Sequence, residues 1–255
     1  LLRPGRNWRV RRLYRQELPL ATRVALARRG DRCSDVQTAR QEWKAFRPLA
    51  EARPLVDELR RMAGVRDRCF YCSDSRGTDV DHYAPIDSEY ASTFVWRNHL
   101  WACTDCNRRK STRFPVDPDL GPLVIDPTRT DAWAHLALAD TGVIAPKVHP
   151  GDVVDVRGLA TLDVLNRINH EAVVEGRYRM IRRLRRAASD VLASGNTMPA
   201  RRRMIEEVRE DDFGVFWWFV RWEGRQIQPF SELWIKDPAL WRRLTRLTVA
   251  QQHGR

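Results

Sequence analysis

Apolar residues divide the chain into three zones of different period. In the first, Leu13, Leu20, Val24 and Leu26 predict one short amphipathic element. From Thr38 to Met62 the period becomes helical, with Leu55, Leu59 and Met62 on one stripe and interruptions expected near Pro48 and Pro54. Residues 65–126 lose this periodicity and crowd together Cys, Trp, Asp, Asn and His. Beyond them it returns: Leu162, Leu165, Ile168, Val173, Met180, Ile181, Leu184 and Val191 recur near 3.6, predicting a long helix over Thr161–Leu192 that ends at Gly195, Asn196 and Pro199. A second helix is expected over Pro199–Arg209. Val215–Trp222 is apolar on every side, so its period fits a strand and a buried helix equally well. No internal repeat is visible. The pattern predicts a mainly α protein with a small α+β core, in three regions: a basic helical one over 1–64, the core over 65–126, and an Arg- and Trp-rich helical one over 127–255.

Composition sharpens this picture. The chain has 255 residues, 43% of them hydrophobic, which makes a packed interior feasible, and a net charge of +12. Such a surplus favours a polyanionic partner, through release of counterions from a phosphate backbone. Of the 45 basic residues, 41 are arginine, the lysines being Lys44, Lys110, Lys147 and Lys236. Arginine suits bidentate phosphate recognition, although a GC-rich genome produces the same bias. No apolar run approaches the ~18 residues that would make a membrane span, and Leu1–Arg12 lacks the apolar stretch of a secretion signal. A cytoplasmic location without membrane contact is therefore expected. In that setting, five cysteines point to metal binding or free thiols in preference to disulfides.

Four of the five form two Cys-x-x-Cys pairs, Cys69/Cys72 and Cys103/Cys106. Each pair can chelate through one knuckle, and two pairs complete the tetrahedral all-thiolate set of a structural zinc. Cys33 has no partner. Between the pairs stand Val80-Asp81-His82-Tyr83-Ala84-Pro85 and Trp96-Arg97-Asn98-His99-Leu100, and the second pair runs directly into Asn107-Arg108-Arg109-Lys110.

This order, Asp-His, then Asn, then Cys-x-x-Cys-Asn-x-x-Lys, resembles the zinc-bearing form of the HNH endonuclease family over roughly residues 66–115. Asn107 stands where many members carry His, a variant shared with the HNH domain of RNA-guided CRISPR nucleases. The resemblance implies a ββα-metal core with Val80–Tyr83 as first strand, Leu100 and Trp101 ending the second, and Asn107–Arg113 starting the helix. It also implies phosphodiester hydrolysis. Such cleavage needs an activated water and neutralisation of extra negative charge. His82, with an ordinary pKa near ~6.5, suits a general base. Asp81 and Asn107 offer oxygen ligands for a hard ion, Mg²⁺ or Mn²⁺. By resemblance, Asn98 closes the loop between the strands and orients His82. Lys110, with Arg108 and Arg109, is positioned to neutralise phosphate, and Arg113 extends that basic stretch. His99 is expected to be structural; His135, His149, His170 and His253 carry no expected role.

The flanks extend the likeness. Leu123-Val124-Ile125-Asp126-Pro127-Thr128, Ala134-His135-Leu136, Arg157-Gly158-Leu159-Ala160-Thr161, Leu165-Asn166-Arg167 and the upstream Arg11-Arg12-Leu13 look like the HNH subunit of the Septu anti-phage system and its retron-associated relatives. That resemblance implies a DNA or RNA substrate, an ABC/SMC-type ATPase partner and, in the retron case, a reverse transcriptase with its DNA product. A stand-alone restriction or homing nuclease and a catalytically silent zinc-dependent nucleic-acid-binding module are the alternatives. The arginines of 177–186, Arg182 and Arg183 among them, fit a phosphate-tracking face or a solvated one. Trp217, Trp218, Trp222, Trp234 and Trp241 fit packing better than base stacking.

Overall fold

The computed structural model describes residues 15–251 except Val65 and Ser75. The expected feature at Arg11, Arg12 and Leu13 lies outside the described residues. Helices α1 (Leu20–Gly30), α2 (Val36–Phe46) and α3 (Arg53–Ala63) come first. Asp35 starts α2 with a reciprocal cap: its carboxylate accepts from the Thr38 amide at 2.8 Å, while the Thr38 hydroxyl accepts from the Asp35 amide at 3.1 Å. The predicted interruption occurs where the prolines require it. The chain leaves α2 before Pro48 and resumes with Pro54 in the first turn of α3, where its missing N–H has no helical partner to lose. Leu55, Leu59 and Met62 then face inward.

Strands β1 (Asp79–His82) and β2 (His99–Ala102) pair antiparallel, with Asp81 opposite Leu100 and His82 opposite His99. Helix α4 (Thr104–Lys110) follows immediately and is shorter than expected, ending at Ser111. Gly77, on the approach to β1, lies so close to the Trp101 indole that a Cβ there would stand 2.1 Å from it. Phe46, Leu55, Leu59, Phe94, Leu100 and Trp101 share one core. The N-terminal helices therefore pack on the hairpin itself, and residue 64 marks no break in packing.

Short hairpins follow: β3 (Val116–Asp117) with β4 (Gly121–Pro122), β5 (Leu136–Leu138) with β6 (Ile144–Pro146), and β7 (Val148–His149) with β8 (Val153–Val154). With two or three residues each, they are too short to display an alternating pattern. The stretch expected as one helix is divided into α5 (Val156–Val164), a 3₁₀ turn over Asn166–Asn169, and α6 (Glu171–Ala193). Leu165 leaves helical geometry, and extended His170 caps α6 by accepting from the Ala172 amide at 3.3 Å. Helix α7 covers Met198–Arg209, as predicted. Val215–Trp222 resolves as helix α8 (Val215–Arg221), buried from Val215 through Val220, as an all-apolar helix must be. Helices α9 (Phe230–Lys236) and α10 (Pro238–Gln251) complete the second core, which takes in Trp217, Trp218 and Trp241. Trp234 remains 42% exposed. Tyr71 and Tyr83 touch both cores. The fold is thus mainly helical with small two-stranded sheets, and among the described residues no helix is long and apolar enough to cross a membrane.

Candidate functional site

Two short turns bring the cysteines together. Cys69 and Cys72 precede β1, and the Ser73 amide donates to the Cys69 carbonyl at 3.0 Å, closing a tight knuckle. Cys103 directly follows β2 and caps α4, its sulfur accepting from the Cys106 amide at 3.4 Å. All four are buried, and their sulfurs lie within 4.8 Å of one another. The Cys72 and Cys103 sulfurs are 4.0 Å apart. Tetrahedral zinc with bonds of ~2.3 Å sets sulfurs roughly 3.8 Å apart, whereas a disulfide needs about 2.05 Å. The group fits a metal ion such as zinc.

On one face of the hairpin, His82 packs edge-on against Trp43 of α2, with ring centroids 4.5 Å apart. Its Nε2 lies 3.0 Å from the Thr93 carbonyl, which receives the His99 Nε2 at 2.9 Å as well. A carbonyl only accepts, so each ring carries its proton on Nε2. The His82 Nδ1 is then a lone-pair acceptor and has no hydrogen-bond partner. Burial pushes His82 down to about 4, against the pull of the Thr93 carbonyl, with the Lys110 and Arg47 charges adding to the lowering. Burial lowers His99 further, with His82 the next cause. Both rings are neutral at neutral pH.

Asn98 ties the loop between the strands shut. Its Oδ1 accepts from the Ala84 amide at 2.8 Å, and its Nδ2 donates to the Ala84 and Ser92 carbonyls at 3.0 and 3.1 Å. The side chain thereby fixes the segment leaving His82 and the segment approaching Thr93, as the expectation for Asn98 required.

Strand alternation turns Asp79 and Asp81 to the opposite face, toward α4. Asp81 accepts from the Tyr71 hydroxyl at 2.5 Å and from the Lys110 ammonium at 3.2 Å. Burial raises its carboxyl, with Lys110 and Tyr71 opposing. Burial also raises Tyr71, and the Asp81 charge adds to that. Lys110 is fully buried and donates to the His82 carbonyl at 2.6 Å. It does not face solvent to meet a phosphate, because Asp81 holds it inside. Asn107 does not pair with Asp81 either; its Nδ2 stands 3.5 Å from Asp79. Asp79 and Tyr71 are the site residues that sequence reasoning missed. Asp79 was legible, since it lies two residues before Asp81 on the same strand face; Tyr71 gave no such signal.

The expected phosphate-binding arginines separate by partner. Arg109 bonds Asp105 and Asn166 at 3.0 and 2.9 Å, and Arg113 bonds Asp163 at 2.5 Å. Both fasten α4 and its exit to the α5 region, so they are internal ties. Arg183 pairs with Glu207 at 2.6 Å, and Arg182 lies over the Tyr178 ring. Arg108 is exposed and without a partner.

No family model matches the chain, and no curated protein matches it.

Proposed function

We propose that the chain is a metal-dependent nuclease of the HNH type that hydrolyses phosphodiester bonds of nucleic acid. One observation carries the reading: the hairpin presents a neutral His82 whose Nε2 is committed to the Thr93 carbonyl, leaving Nδ1 as the acceptor. A general base needs that arrangement, a fixed tautomer with one open lone pair. Asn98 holds the loop that carries Thr93, so it positions the base without touching substrate. Asp81, Asn107 and the neighbouring Asp79 are hard oxygen donors on the α4 side, a set that suits Mg²⁺ or Mn²⁺. Such an ion would supply neutralisation of charge on the scissile phosphate. The four cysteines supply rigidity: zinc joins the turn before β1 to the start of α4 across a unit with little apolar interior. The wider likeness to anti-phage HNH subunits adds an ATPase partner to this proposal.

A second reading, a zinc-stabilised nucleic-acid-binding module without turnover, draws on one feature. The Asp81 carboxylate is engaged by Tyr71 and Lys110, and Trp43 covers one side of His82. The two readings part in a cleavage assay. Zinc-loaded protein should nick plasmid DNA or cut RNA with Mg²⁺ or Mn²⁺ and stop when the divalent ion is withheld. Tight binding with no cleavage under any divalent ion would favour the silent module.

A further inference from the structure

Where the first zinc knuckle meets the C-terminal helices, the structure encloses a cavity of about 100 Å³. Tyr71 and Cys72 form one wall, Trp133 and Ile144 another, and Leu165 and Ile168 a third. Into this mostly apolar space α6 contributes Arg177, which is 2% exposed. Its Nε donates to the Gly142 carbonyl at 2.6 Å and one Nη to the Asn169 side-chain oxygen at 3.1 Å. Both acceptors are neutral. Among the described residues no carboxylate forms an ion pair with Arg177, and its other Nη has no hydrogen bond. A structural tie between the β5–β6 turn and the 3₁₀ segment would use these two bonds and stop there. It does not account for a full positive charge left beside an apolar void, since buried charge is costly unless paired.

We propose that this cavity binds a small organic anion, a body about one ring in size whose carboxylate pairs with Arg177. The volume sets the size: an engineered apolar cavity of about 150 Å³ takes up benzene, so this space admits a single ring with little to spare. The guanidinium sets the head group, because its unused donors match a carboxylate. The location agrees with where ligand sites recur, at the seam between packed units with few convergent polar groups. Burial lowers Arg177 to about 10, in keeping with a cation that lacks an adequate counter-ion. Tyr71 forms part of the wall and donates to Asp81 at 2.5 Å, so an occupant would touch the hydrogen-bond chain that ends at the strand bearing His82. The binding proposal itself does not depend on the nuclease reading.

The test uses the full zinc-loaded chain and two probes of one shape, benzoate and benzamide, followed by calorimetry and by tryptophan fluorescence, which Trp133 reports. Benzoate should bind at least tenfold more tightly than benzamide. Ala132→Leu, which fills the cavity, should abolish benzoate binding while leaving the thermal transition cooperative. Arg177→Met, where it folds, should erase the preference for the anion. Where it does not fold, the two probes and the filling variant still decide. Equal affinity for both probes, no binding of either, or benzoate binding that survives Ala132→Leu would each overturn the proposal.

Discussion

At the scale of residues, the arrangement around His82 makes stability depend on pH in a calculable direction. His82 stands at about 4 in the folded chain against ~6.5 unfolded. Between those values the unfolded chain carries a proton that the folded chain refuses, so stability is lost as pH falls from ~6.5 toward 4. The 2.5-unit gap corresponds to about 3 kcal/mol at the low end, an order-of-magnitude figure. His99 acts in the same direction. Thermal denaturation between pH 7.5 and 5 should show His82→Gln losing less Tm on acidification than the parent. Parallel slopes would mean that His82 is not held neutral by burial. The same displacement keeps a general base ready across the physiological range, which links packing beside Trp43 to chemistry.

At the scale of elements, the hairpin and α4 form a clip whose strength comes from sulfur. The five residues Cys69, Cys72, Ala102, Cys103 and Cys106 form their own small buried cluster, too small to hold the turns by apolar burial alone. Zinc should be present at one equivalent per chain, and a strong chelator should remove it with a fall in Tm of more than about 10 °C, given the apparent ~10–16 kcal/mol of structural zinc in small motifs. Zinc-free protein with an unchanged Tm would contradict the assignment. This clip was legible in the sequence because ligand spacing is local. So was the role of Asn98, while the order of Asp81, His82 and Asn107 was legible and their facing was not. Strand alternation sends adjacent Asp81 and His82 to opposite faces, and only the packed α4 shows that Lys110 turns inward to Asp81. Elsewhere, periodicity found the material of α5 and α6 but not the break at Leu165. A 3₁₀ turn keeps apolar residues near helical spacing, so the pattern passes through it unaltered. The identity of α8 needed tertiary context, because a segment apolar all round has no face to read.

At the scale of the whole molecule, much of the arginine surplus is consumed by fastening one part of the chain to another. Arg66 and Arg68 reach Asp212, Arg113 reaches Asp163, and Arg167 spans Asp74 and Asp105, one acidic residue beside each zinc knuckle. The zinc clip is thereby strapped to the second core while the N-terminal helices support it from the other side through Trp43 and Phe94. Both supports converge on the strand that carries His82, and the account stands on that residue being the base. The most direct measurement is divalent-ion-dependent cleavage by His82→Ala compared with the parent at equal zinc content and equal Tm after correction to neutral pH. Loss of a general base should slow cleavage by roughly 10²–10⁴-fold without loss of zinc. Cleavage by the alanine variant at the parent's rate would contradict the account.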